Sequence, residues 1–241
     1  MARRHTKSLI LTYHRVTDDD AVSGFYDVPL SRFREQIARI AAHNSDMQVV
    51  VTFDDGTKDH LRAANILADH GLQGVFFVVC DWLDEPGYLF RGGVYRLVEL
   101  GQVVGSHTLS HRQLPPLSDA ELQTELVDSR RALEDLSGRA IEWFAPPGGL
   151  YDGRTLAAAR DAGYLYARTM DWGYAPRIAD AGVDHLLPTV PMLRNMSDRR
   201  LDEILDGEAR FPAFVVKQWA RQILPGTTYA RLRDWTIQQS S

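Results

Sequence analysis

The sequence predicts a single-domain α/β fold in which parallel β/α units close, or nearly close, into a barrel. Three observations lead there. Seven short apolar runs alternate with amphipathic stretches along the 241 residues, the pattern of parallel β/α units. The chemically distinctive polar residues fall at or just past the carboxyl ends of those runs, the ends that share one face in a β/α barrel. No repeat, low-complexity block or linker divides the chain, and 44% apolar residues suffice for one full core. A doubly wound open sheet would gather ligands at the same strand ends, so the placement of the site does not depend on closure.

The elements follow in order. Residues 8–14 form the first strand, rich in β-branched and aromatic side chains and ending in His14. Residues 30–43 carry Phe33, Ile37 and Ile40 at helical spacing. Residues 47–54 form the second strand, an apolar run that stops at Asp54 and Asp55. Leu61, Ala64 and Leu67 give residues 58–70 one apolar helical face, and residues 74–79 are the third strand. Residues 82–93, with Pro86 and the Gly92-Gly93 pair, predict a long loop on the site face. The fourth strand, 102–107, ends in His107. The clearest helix is 119–136, opened by a Ser118–Glu121 capping box and followed by Gly138. Residues 140–145 lead into the turn Pro146-Pro147-Gly148-Gly149, and a helix is expected over 152–162. The sixth strand, 164–170, precedes Asp171-Trp172, and 185–192 is the seventh. Helices over 198–205 and 228–239 complete the chain as a helical extension, 197–241, on a motif-bearing core of about 8–195.

Composition narrows the function. A net charge of −5 argues against a protein that tracks nucleic-acid phosphates. Cys80 is the one cysteine, which excludes a disulfide framework and a thiolate zinc site. The basic start is followed by only three apolar residues, 9–11, too few for a secretory core, and no run approaches a membrane span. A cytoplasmic location and no membrane span are the expectation. No heptad in the sequence specifies an oligomeric state.

Asp54 and Asp55 are adjacent acids at the mouth of a buried strand. They repel each other and resist desolvation, so they need compensation. A divalent cation is the usual one, and His107 and His111, four residues apart after Gly105-Ser106, offer it two further ligands. A helical turn or a tight loop would bring the two imidazoles together. Two histidines and one aspartate hold a metal and leave positions open. Zinc is the default for such a set, and cobalt, nickel and iron(II) accept the same ligands.

Taken in order, Thr52-Phe53-Asp54-Asp55-Gly56, His107-Thr108-Leu109-Ser110-His111, the Pro-Pro-Gly turn and Asp171-Trp172 resemble the motifs of polysaccharide deacetylases. This is the family with NodB homology, also called carbohydrate esterase family four. The Tyr13-His14-Arg15-Val16 opening is similar to many of its bacterial members. The resemblance runs over about residues 11–192. It implies a distorted (β/α)7 barrel and a metal-dependent hydrolase that removes N-acetyl groups from amino sugars, with water as nucleophile. It further implies Asp54 as general base, Asp55, His107 and His111 as ligands of one divalent metal, and Asp171 as a carboxylate supporting the base or the imidazoles.

Two positions depart from the family pattern. The last strand reads Leu187-Pro188-Thr189-Val190-Pro191-Met192 where members commonly carry a histidine that protonates the leaving amine. His14 is the substitute candidate; a histidine that merely props the aspartates, or return of the proton from Asp54, are the alternatives. Ala145 stands where many members carry an arginine paired with the catalytic aspartate, leaving Arg168 or Arg177 to reach in. The turn at Pro147 and Gly148 is expected to support the oxyanion through a backbone N–H. Of the aromatics that could line a sugar groove (Tyr13, Tyr26, Trp82, Tyr88, Tyr151, Trp172, Tyr174), only Tyr151 and Trp172 directly follow site motifs. The expected substrate is a soluble, nucleotide-linked, lipid-linked or biosynthetic-intermediate N-acetylated sugar, small or oligosaccharide, with no nucleic-acid partner. Release of another acyl group, as by a deformylase or cyclic amidase, is one alternative. A non-catalytic carbohydrate-binding relative is the other.

Overall fold

In the computed structural model, which describes residues 7–211 apart from 22, 45, 184 and 185, the described part opens on a buried strand, β1 (Lys7–Tyr13). There follow β2 (Arg15–Thr17), β3 (Asp27–Pro29), α1 (Leu30–Ala42), β4 (Gln48–Phe53), α2 (His60–Asp69) and β5 (Gly74–Val78). Next come α3 (Arg91–Glu99), β6 (Val103–Ser106), α4 (Asp119–Gln123), α5 (Ser129–Ser137), β7 (Trp143–Phe144) and α6 (Gly153–Asp161). The described part closes with β8 (Tyr166–Trp172), β9 (Ala175–Pro176), β10 (Leu187–Pro191) and α7 (Asp198–Leu205).

Seven strands pair in the order β10-β8-β7-β6-β5-β4-β1, every pair parallel, and β10 returns to β1 through Leu11↔Val190 and Thr12↔Pro191. The sheet is therefore a closed (β/α)7 barrel. It is distorted where β7 is only two residues long and meets β6 through the single pair Ser106↔Phe144. A register shift between β8 and β10 adds to the distortion. All seven predicted strands are present.

Strand alternation sorts side chains into two cores. Outward residues such as Leu9, Leu11, Tyr13, Phe53 and Phe76 pack beneath the helices. Inward residues Ile10, Val50, Phe77, Trp143 and Leu187 fill the barrel, with Ala175 and Ile178 packed against them. Gly105 is inward too, and a Cβ there would stand 2.7 Å from the Phe77 ring, so glycine is needed to let that ring fill the barrel. Above this apolar layer lie the buried hydroxyls of Thr12, Thr52 and Thr189, with Thr12 bonded to the other two at 2.8 and 2.5 Å. The barrel thus becomes polar toward the carboxyl ends of its strands.

Several expectations are corrected. The predicted loop over 82–93 ends early, because α3 starts at Arg91 and takes Gly92 and Gly93 into its first turn. The helix expected over 119–136 is interrupted by a π-helical turn, Thr124–Asp128, although Ser118 and Glu121 form their capping box and Gly138 closes the helix at φ 65°. The small β2–β3 sheet and the antiparallel pairing of β9 with β1 were not foreseen. Tyr13 and Tyr174 are not groove residues: the first is buried with its hydroxyl donating to Gln36, the second donates to the Ile204 carbonyl. The helix expected over 228–239 lies outside the described residues, as does His185. Among the described residues no helix is long and apolar enough to cross a membrane.

Candidate functional site

The two-residue period of a strand carries the inward face past the threonine layer. On β1 the sequence Ile10, Thr12 continues to His14; on β4, Val50, Thr52 continues to Asp54. Thr12 and Thr52 are register partners, so His14 and Asp54 come up side by side, with His14 Nε2 3.8 Å from Asp54 Oδ2. The Asp54 N–H still donates to the Tyr13 carbonyl at 3.0 Å, so the strand pairing reaches the aspartate itself. The His14 ring lies against Tyr26 at 4.4 Å, and its carbonyl receives the Nε2–H of the buried His60 at 2.6 Å.

Asp54 is buried and bound by the guanidinium of Arg168, itself fully buried on β8. Phe144↔Ala167 is a register pair between β7 and β8, so the next step places Ala145 opposite Arg168. The small residue on one strand leaves room for the long one on its neighbour. Arg177 plays no part in this, being paired with Asp180 on the surface. Burial alone would push the Asp54 carboxyl up, but Arg168, His107 and His14 outweigh it and hold the group at about 2.

Asp55 turns away at φ 79° and enters a different environment. Burial, and then the charge of Asp54, push its carboxyl up to about 7. Its Oδ1 faces His107 Nε2 and His111 Nε2, each at 3.5 Å. The two histidines are brought together by a tight loop, not a helix, with Thr108 and His111 both in the left-handed region at φ 71° and 62°. The His107 Nδ1–H donates to the Ala145 carbonyl at 2.7 Å, which fixes the tautomer and leaves Nε2 a lone pair aimed at Asp55. Burial holds His107 and His111 down at about 4, so both rings are neutral and could serve as metal ligands.

These three groups fit a cation. Their ligand atoms all lie within 4.8 Å of one another. Donors held tetrahedrally at zinc-ligand distances stand about 3.3–3.4 Å apart, against the 3.5 Å from Asp55 to each histidine. A carboxyl that burial and Asp54 push up to about 7 faces two neutral imidazoles, an arrangement that a positive charge stabilises.

The other expected residues stand on the same face. Asp171, at the end of β8, accepts the Tyr151 hydroxyl at 2.9 Å and an N–H···Oγ1 contact ties its own backbone to Thr169. Trp172 is half-buried beside it. Pro147 and Gly148 form a tight turn after β7 in which the Gly149 and Leu150 N–H groups are already used, donating to the Pro146 and Pro147 carbonyls. The Ala145 carbonyl just before that turn binds His107. Glu125 was missed by the sequence reading: it is buried and binds the backbone of the His111 loop. Its signal was an acid three residues from Leu122 and next to Leu126, on the apolar stripe of a helix.

Comparison with known proteins bears on the family and the fold. Residues 41–167 match the polysaccharide deacetylase family. A chitooligosaccharide deacetylase of Bradyrhizobium sp. is 28% identical over 68% of this chain and 72% of its own length. A peptidoglycan-N-acetylglucosamine deacetylase of Bacillus cereus is 25% identical over 60% of this chain and 66% of its own. The chain spans about half the length of several other curated relatives it matches. In fold it resembles the Streptococcus pyogenes deacetylase PplD, solved with acetate (TM-score 0.74, 21% identity, 84% of this chain and all of that one). It likewise resembles the Bacillus cereus polysaccharide deacetylase BC0361 (TM-score 0.75, 20% identity, 83% of this chain and 69% of that one). With a match across more than half of its 241 residues, this chain belongs to the polysaccharide deacetylase family.

Proposed function

We propose that the protein is a metal-dependent N-deacetylase of N-acetylated amino sugars, and that the division of labour between Asp54 and Asp55 carries the reaction. The observation behind this is that two consecutive aspartates have different partners: Arg168 for the first, two neutral imidazoles for the second. Separated environments separate roles. Asp55, His107 and His111 would hold one divalent ion, zinc by the chemistry of the donors. Such an ion, when bound, polarises the amide carbonyl and acidifies water at the site.

The chain's own groups supply the proton traffic. Asp54, kept ionised by Arg168, accepts the proton of the attacking water. His14, 3.8 Å from Asp54 and braced by Tyr26 and His60, is placed to protonate the departing amine, the task left open by Thr189 and Val190 on β10. Asp171, held by Tyr151, and the half-buried Trp172 would orient the sugar at the rim, with Pro147 and Gly148 on the adjoining edge beside β8. The names of the relatives favour N-acetylglucosamine residues in oligo- or polysaccharides as the substrate class.

The test is acetate release by zinc-loaded protein from N-acetylglucosamine oligomers, a nucleotide-linked N-acetylated sugar and an N-formyl analogue. Turnover of an acetylated sugar, abolished in Asp54→Asn, is the expected result. Formate release alone would move the assignment to another acyl group, and zinc binding without any release would make the chain a binding protein.

A further inference from the structure

We propose that Glu125 is a positioning residue for the metal ligand His111, acting through the backbone of the ligand loop; this rests on the reading of Asp55, His107 and His111 as the metal site. The loop that carries the two histidines is unfavourable on its own. Thr108 and His111 are non-glycine residues at φ 71° and 62°, a conformation that costs on the order of 1–3 kcal/mol per residue and persists only where its surroundings dictate it. Loop atoms must therefore be held from outside.

Glu125 does so from below. Its side chain is buried, and one oxygen accepts both the Leu109 and the Ser110 N–H at 3.0 Å while the other accepts the Ser110 hydroxyl. Three donors from two consecutive residues converge on one carboxylate. On the other side of the loop, the Leu109 carbonyl receives the Asp81 N–H at 2.9 Å. Within the loop, Thr108 N donates to Ser106 Oγ and His111 N to Thr108 Oγ1, both at 3.1 Å. Ser106 is in turn bonded to Ser129, one residue beyond the turn that carries Glu125. Leu109 and Ser110 are the two residues before His111, so the carboxylate sets the path by which the chain reaches that ligand.

The helix is modified at this point. Glu125 lies in the π-helical turn Thr124–Asp128, between the α-helical segments on either side. Such turns displace side chains from the regular helical register and recur at functional sites. Here the turn lies where an inward-facing acid reaches backbone donors 15 and 16 residues earlier in the chain. A buried acid with no role at the loop would carry a desolvation penalty for nothing.

The experiment is zinc titration by calorimetry of metal-free wild type, Glu125→Ala, Glu125→Gln and Ser110→Ala, each beside its thermal midpoint without zinc. Loss of support one step from the ligands weakens metal affinity by about 10–100-fold in comparable sites. Glu125→Ala should raise the zinc Kd within that range. Glu125→Gln, which keeps an acceptor for the two N–H groups, should raise it less than about 10-fold, and Ser110→Ala least. Excess zinc should restore kcat in the Gln variant with KM unchanged. If Glu125→Ala lowers the metal-free midpoint yet binds zinc like wild type, Glu125 is structural only and the proposal fails. If Glu125→Ala does not fold, Glu125→Gln with wild-type affinity overturns it equally. Absence of zinc binding by wild type itself would remove the metal-site reading and this inference with it.

Discussion

The mouth of the barrel has two sides that solve the same problem differently. On the side of β1 and β8, Asp54 is compensated by the protein: a buried guanidinium binds it, a histidine stands 3.8 Å away, and its carboxyl is held at about 2. On the side of β6, Asp55 meets two imidazoles that burial keeps neutral, and its carboxyl rises to about 7. One side is electrostatically finished, and the other gathers donors that suit a cation. The difference teaches that adjacency in sequence says little about environment. A single left-handed residue, Asp55 at φ 79°, is enough to send two neighbouring carboxylates into opposite surroundings.

The sharpest way to break the comparison is to remove the base. Asp54→Asn should lower kcat by about 10²–10⁴-fold, the usual worth of positioned acid–base catalysis, while zinc still binds; steady-state rates beside metal analysis check both halves. Next in size is Arg168→Met. Removing one partner of a fully buried ion pair costs roughly 3–5 kcal/mol, read as a lower denaturation midpoint. With the guanidinium gone, burial dominates Asp54, so its carboxyl stays protonated to higher pH and the acid limb of the activity profile moves up. Ala145→Arg in that background should recover part of both losses, because position 145 faces 168 across β7 and β8. A double variant no better than Arg168→Met would show that the two positions do not share one role.

Metal addition probes the unfinished side. Saturation at about 100 times Kd adds about 2.7 kcal/mol, or roughly 5–10 °C for a domain of this size. His107→Ala should lose that increment while Arg168→Met keeps it, and melting curves with and without zinc decide between them. The smallest effect is at the exposed start of α4. The Glu121 carboxyl, bonded by the Ser118 N–H and hydroxyl and by Arg112, is held at about 2. A depressed carboxyl adds stability that is present above its unfolded value of 4.5 and lost as pH falls from there through 2. A carboxyl resonance of Glu121 with its midpoint at the ordinary value would contradict the capping geometry.

What was legible in the sequence follows from what each signal depends on. The strands, the meeting of His107 with His111 and the capped start of the helix at Ser118 rest on local pattern, and the chain writes those directly. Asp55, His107 and His111 could be read because two short motifs carry them. The partner of Asp54 was legible only in outline. Ala145 showed that an arginine was missing from one place, and whether Arg168 or Arg177 replaced it depended on the β7–β8 register, which no single segment encodes. Glu125 was hidden for a similar reason. Its place beside Leu122 and Leu126 marks an inward-facing acid, but its partners Leu109 and Ser110 lie 16 and 15 residues earlier, a pairing that no single segment encodes. The loop expected over 82–93 failed in the opposite direction, since Gly92 and Gly93 read as breakers yet fit the first turn of α3.

The most direct test of the divided aspartates is zinc stoichiometry, by calorimetry, on Asp54→Asn and Asp55→Asn purified side by side. The account predicts about one zinc per chain in Asp54→Asn, with no turnover, and none in Asp55→Asn. Loss of zinc in Asp54→Asn, or its retention in Asp55→Asn, would contradict the assignment of base and ligand to these neighbouring residues.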